Sequence, residues 1–193
     1  MTNKERFIEI YKTYIKRPGS EKLLEYLLSP HSDFFEAPAS ARFHGNYDGG
    51  LLDHSLNVYD CLTAKRNNPI WKTIFDEIPE SSLIVVALLH DLCKTYFYTV
   101  EMRNKKVDGV WESVPFYTVD DKIPYGHGEK RVMMIEAYMK LTSQERYAIR
   151  WHMGWSEPKE SYNALGGAIK KYPFVWALHE ADNEATYLLE EEE

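Results

Sequence analysis

The stretch Ser81–Thr95, SSLIVVALLHDLCKT, sets seven consecutive apolar residues, Leu83 to Leu89, directly against a histidine and an aspartate. Ser81 and Ser82 suit a helix N-cap, because a short hydroxyl side chain accepts a bond from an orphan N–H of the first turn. A helix that is apolar all round belongs in a core. The same run read by period alone also fits a buried strand. His90 and Asp91 then place two titratable groups at the end of a buried element, where an unpaired charge costs several kcal/mol. They must pair with each other, pair with a neighbour or hold a metal ion. Neighbours on a helix point about 100° apart, so the two side chains can ligate from two directions, and Asp91 can lie between two ions.

The rest of the chain surrounds that element with helices. Its 193 residues suffice for one sizeable core, read as one domain over 1–193 with an N-terminal helical extension over 1–40. No apolar run reaches the length of a membrane span, and MTNKERFIEIYK lacks the apolar segment of a signal peptide. Cys61 and Cys93 are the two cysteines, too few for a disulfide framework, so a reducing, cytoplasmic setting is expected. A net charge of −7 argues against a basic face for gripping polynucleotide.

In chain order, helices are expected over 3–16, 20–28, 51–65, 71–78, 126–140 and 142–152, with Thr142 and Glu145 spaced as a capping box. Residues 154–167 read as irregular and 170–190 as a last helix, followed by a frayed, solvated acidic run over 190–193. Between about 96 and 120 the residues turn to β-formers around the turn pair Asp108-Gly109, which predicts one β-hairpin inserted into an otherwise all-α fold.

His54, His127 and His152 each fall on a separate predicted helix, and Asp182 lies on the last one. Singly, each has a plain structural reading: a core histidine, a turn residue, a helix C-cap and a surface ion pair. Jointly, the segments GGLLDHSLNV (49–58), ALLHDLCKT (87–95), PYGHGEK (124–130), AIRWHMG (148–154) and HEADNEAT (179–186) resemble the HD superfamily of metal-dependent phosphohydrolases. The resemblance covers a core over 42–186. It looks closest to the HD domain of bacterial 3′→5′ exoribonucleases and to small stand-alone phage or prophage hydrolases. Met153 departs from the pattern, since some binuclear relatives carry a second histidine there.

The resemblance implies an HD-type helical bundle with one or two divalent ions. His54, His90, Asp91 and Asp182 would hold the first, and Asp91, His127 and His152 the second. Mixed imidazole and carboxylate donors favour Mn, Fe, Ni, Co or Zn over Mg. Such an ion lowers the pKa of bound water toward neutrality and so supplies a nucleophile for a phosphate ester. Asp91 and Lys94 are then the catalytic candidates. Lys94, Lys130, Arg131 and His44 are the candidate substrate contacts, with Asp48 beside His44 on the loop ahead of His54. The implied substrate is a nucleotide or another small phosphorylated compound. A single-strand nuclease and a non-catalytic nucleotide-binding module are the alternatives; nucleic acid is the less favoured partner, and no membrane partner is expected.

Overall fold

The computed structural model describes residues 1–190. Apart from Glu190, the acidic run expected to fray lies outside them. The run Leu83–Leu89 is helix. Element α5 spans Glu80–Leu89, and every side chain from Ser82 to Leu89 is buried. Its start differs from expectation: Pro79 occupies the N-cap and neither serine caps it. Proline is pre-organised for a helix entrance, which draws Ser81 and Ser82 into the first turn. There the Ser82 hydroxyl bonds the buried carboxylate of Glu145.

Around α5 lie α1 (Asn3–Tyr14), α2 (Ser20–Leu28), α3 (Gly50–Arg66), the short α4 (Lys72–Phe75), α6 (His127–Glu136), α7 (Ser143–Trp151), α8 (Tyr162–Lys171) and α9 (Phe174–Glu184). Helices α1, α3 and α7 pack directly on α5, and α9 packs on α3 and α7. Phe7, Tyr11, Leu23 and Leu27 of α1 and α2 join the same apolar cluster as α5. Arg17 ties the turn between them to α7, with both guanidinium branches 2.8 Å from Glu145. Thr142 and Glu145 form the expected capping box.

Two further boundaries depart from the sequence reading. Residues expected to be irregular contain α8, whose Gly166 and Gly167 face open space rather than a turn. The expected helix over 170–190 breaks at Tyr172, where φ is −136° and ψ is 88°, before Pro173 opens α9. A residue ahead of proline is pushed out of the α region by the ring, so one long helix becomes two.

The β excursion is one antiparallel hairpin, β1 (Tyr98–Val107) paired with β2 (Val110–Val119). Asp108 and Gly109 both take positive φ, 49° and 88°, as a two-residue hairpin loop requires. At its base, the Tyr117 hydroxyl donates to Asp48, which fixes the hairpin to the loop ahead of α3. Among the described residues no helix is long and apolar enough to cross a membrane.

Candidate metal centre

Three helix positions deliver three imidazoles to one buried point. His90 is the C-cap of α5 and His152 the C-cap of α7, while His54 sits in the second turn of α3. The start of α3 is set by backbone crowding: a Cβ at Gly50 would lie 2.0 Å from the carbonyl oxygen of Gly45. All three imidazoles are fully buried.

Each ring uses Nδ1 as a donor and turns Nε2 toward the others. His90 Nδ1 donates to the Ala87 carbonyl at 2.9 Å, and His152 Nδ1 to the Ile149 carbonyl at 2.8 Å. These are the carbonyls three residues back, freed by the helix ends. His54 Nδ1 donates to the carboxylate of Glu190 at 2.9 Å. A second hydrogen bond behind the ring, fixing tautomer and orientation, is the usual arrangement of a metal-ligating histidine.

The Nε2 atoms of His54 and His90 stand 3.2 Å apart. Asp182 Oδ1 lies 3.0 Å from His54 Nε2 and 3.8 Å from His90 Nε2. Asp91 Oδ2 lies 3.5 Å from His90 Nε2 and 3.9 Å from His54 Nε2. Donors about 2.1 Å from a tetrahedral ion sit about 3.4 Å from one another, so these separations suit one small divalent cation. The buried cluster of His54, His90 and Asp91 can hold a metal ion. His152 completes the ring of imidazoles with Nε2 buried, unpartnered and 3.6 Å from Asp91 Oδ1.

Cations crowd the other side of Asp91. Lys94 Nζ is 2.6 Å from Oδ2, and Arg131 Nη2 is 3.0 Å from Oδ1. Burial opposes the charged carboxylate, but Lys94, His90 and Arg131 outweigh it and hold the Asp91 pKa well below the carboxylate range. Asp182 is likewise held down: burial raises it, and the hydrogen bond and charge of His54 lower it by more. His54 moves the opposite way. Burial lowers it, yet bonds to Asp182 and Glu190 prevail and lift it to about 9. For His152, burial and the nearby Arg131 charge push the pKa down to about 4, which keeps its Nε2 lone pair available at neutral pH.

These shifts carry a pH prediction for the metal-free chain. A histidine raised from about 6.5 to about 9 contributes stability that is complete below the lower value and lost as pH rises through the upper one. The metal-free melting temperature is therefore expected to fall between neutral pH and pH 9. Over the same window metal affinity should rise, because the competing proton leaves His54. Calorimetric melts and metal titrations at the two pH values test both signs. A flat melting temperature, or an affinity that falls as pH rises, would contradict this account of His54.

Of the expected second ligand set, Asp91 Oδ1 and His152 Nε2 lie 3.6 Å apart, and His127 lines the neighbouring cavity. His127 opens α6 in an exposed position, with its ring 5.1 Å from that of Phe97. Arg131, one turn further along the same face of α6, meets Asp91 instead. Lys130, an expected substrate contact, is engaged within the chain. Its buried ammonium is 2.5 Å from Asp121 and lies over the Phe97 ring. His44 packs 4.9 Å from the His54 ring, and burial with the His54 charge lowers its pKa to about 4. Asp48 is engaged by Tyr117.

Sequence reasoning missed Glu190. Assigned to a frayed end, it is instead buried against His54 and Asn57. A cavity of about 540 Å³ opens beside the cations, lined by Lys94, Arg131, Phe97, Tyr98, His127 and Met153 among others. The site thus joins a buried His/Asp cluster that can hold a metal ion, two cations on Asp91, and a chamber with polar and aromatic walls.

A curated protein matches this chain. It is the dihydroneopterin 2′,3′-cyclic phosphate phosphodiesterase of Methanocaldococcus jannaschii, 27% identical over 126 residues, or 60% of this chain and 48% of its own. The chain therefore spans about half the length of that relative. No family model matches the sequence, and no solved structure matches it.

Proposed function

We propose that this chain is a metal-dependent phosphodiesterase of the HD type, with its catalytic core over 42–186, acting on a nucleotide or another small phosphorylated compound. The observation that carries the proposal is the convergence of His54, His90, Asp91 and Asp182 on one point beside a cation-lined cavity. The relative's name supports it by specifying a small cyclic phosphate. That substrate favours the small-molecule reading over the exoribonuclease branch. The ion, one of Mn, Fe, Ni, Co or Zn, would when bound supply an activated water and neutralise charge at phosphorus. Lys94 and Arg131 hold Asp91 ionised and ready to ligate. Lys94 has three N–H donors and spends one on Asp91, which leaves donors for a phosphate oxygen in the cavity. Phe97, Tyr98 and Met153 give that cavity an apolar wall for the organic part of the substrate.

The test uses metal-stripped protein reloaded with each candidate ion and assayed on a 2′,3′-cyclic nucleotide, a generic aryl phosphodiester and a phosphomonoester. Hydrolysis of the diesters should return with a transition ion. Failure with every ion and ester would overturn the reading. Shortening of single-stranded RNA, steeply weakened by salt through counterion effects, with the small esters untouched, would replace the substrate class.

Lys94→Ala is expected to keep its metal and lose about tenfold to a hundredfold in kcat/KM, the equivalent of about 1.5–3 kcal/mol for a charge-assisted hydrogen bond. Wild-type kinetics in a metal-loaded variant would confine Lys94 to its pairing with Asp91.

A further inference from the structure

The geometry points to Glu190 as the positioning residue of the metal centre, acting through His54; the inference rests on the metal reading above. His90 and His152 sit at helix ends, where a carbonyl three residues back is free to accept from Nδ1. His54 lies inside α3, and the nearby Leu51 carbonyl already accepts the Ser55 hydroxyl as well as serving the helix. Its Nδ1 must find an acceptor from another part of the chain. Glu190 supplies one that is charged, at 2.9 Å, and Asn57 Nδ2 donates to the same oxygen at 3.1 Å.

The backbone route to Glu190 is unusual. After α9 the chain takes a single π turn, Ala185–Leu189, closed by the Glu190 N–H on the Ala185 carbonyl at 3.1 Å. Wide turns of this kind are rare and cluster at functional sites. This one leaves Tyr187 and Leu188 more than 70% exposed while the Glu190 side chain is only 5% exposed. Three apolar side chains, Tyr187 to Leu189, face water and one carboxylate is buried. That inverts the ordinary preference of both residue types, and it becomes reasonable when the carboxylate has a partner that needs it. Behind an imidazole, a carboxylate fixes the Nδ1–H tautomer and makes Nε2 a stronger donor to a metal.

The experiment is a calorimetric titration of metal-stripped full chain with Zn²⁺ and Ni²⁺ above pH 9, where no proton competes for His54 in any variant, comparing wild type, Glu190→Gln and Glu190→Ala. Loss of an outer partner of this kind weakens metal binding by about 10–100-fold. We expect Glu190→Gln near the lower figure, because the amide still accepts from Nδ1 without the charge, and Glu190→Ala near the upper one. Nitrogen NMR of the metal-free imidazoles above pH 9, where His54 is neutral, should show His54 losing its single tautomer in Glu190→Ala, a change that loosened packing alone does not produce. If wild type binds and both variants bind equally well, Glu190 is structural and the inference is overturned while the metal site stands. If wild type itself binds neither ion, the metal reading falls and takes this one with it.

Discussion

Asp91→Ala is expected to lose more metal and more stability than any other single change at the centre. Its carboxylate is almost wholly buried, with Lys94 at 2.6 Å on one oxygen and Arg131 at 3.0 Å on the other. The same oxygens face His90 and His152, at 3.5 and 3.6 Å. Removing the anion leaves buried cations uncompensated, a change that costs about 3–5 kcal/mol. It also removes one of the two carboxylates that neutralise a dication, so metal per chain should fall toward zero. Melting of the metal-stripped proteins reads the first effect and elemental analysis after dialysis the second. Full metal content with an unchanged melting temperature would show that the carboxylate is neither the ligand nor the counter-charge. The pH sign agrees with this picture. A carboxyl whose pKa is depressed contributes stability above its unfolded value of about 3.9, lost only as pH falls through the lower folded value. The contribution of Asp91 should therefore persist throughout the mildly acidic range.

The main lines of this centre were legible in the sequence because they follow from local rules. Leu83 to Leu89 has no polar face, so α5 had to be central, and His90-Asp91 at its end had to meet partners. The Asp108-Gly109 turn fixed the hairpin register from two residues. What escaped depends on where distant segments meet. Whether His127 or Arg131 reaches Asp91 is decided by the rotation of α6 against the turn at Leu92–Lys94, and both lie on one face four residues apart. Glu190 was hidden by its composition. A run of four glutamates reads as a solvated face, and only the π turn after α9 reveals that the first of them folds inward. The break in the last helix and the start of α5 were marked locally, by Pro173 and Pro79.

The second large effect concerns Arg131 and the number of ions. A guanidinium 3.0 Å from Asp91 Oδ1 stands on the side where a second ion would share that carboxylate. At about 4 Å and an effective dielectric constant of about 20, a dication and a guanidinium repel by about 8 kcal/mol. Asp91 cannot hold both there. Wild type is therefore expected to bind one transition ion per chain, even at metal concentrations well above the dissociation constant. Arg131→Ala removes the repulsion and uncovers Asp91 Oδ1 together with the unpartnered Nε2 of His152, 3.6 Å away. Its stoichiometry should rise toward two under the same conditions. Its metal-free form should lose about 3 kcal/mol, the low end for a broken buried pair, because Lys94 still compensates the other oxygen. Arg131→Lys separates charge from shape. It keeps the positive charge without the planar fork, so it should stay at one ion while binding substrate less well. Two ions in wild type would show that the guanidinium moves aside when metal enters. One ion in all three proteins would mean that the two-donor pair of Asp91 and His152 is too weak to capture a second ion, leaving Arg131 a counter-charge and nothing more.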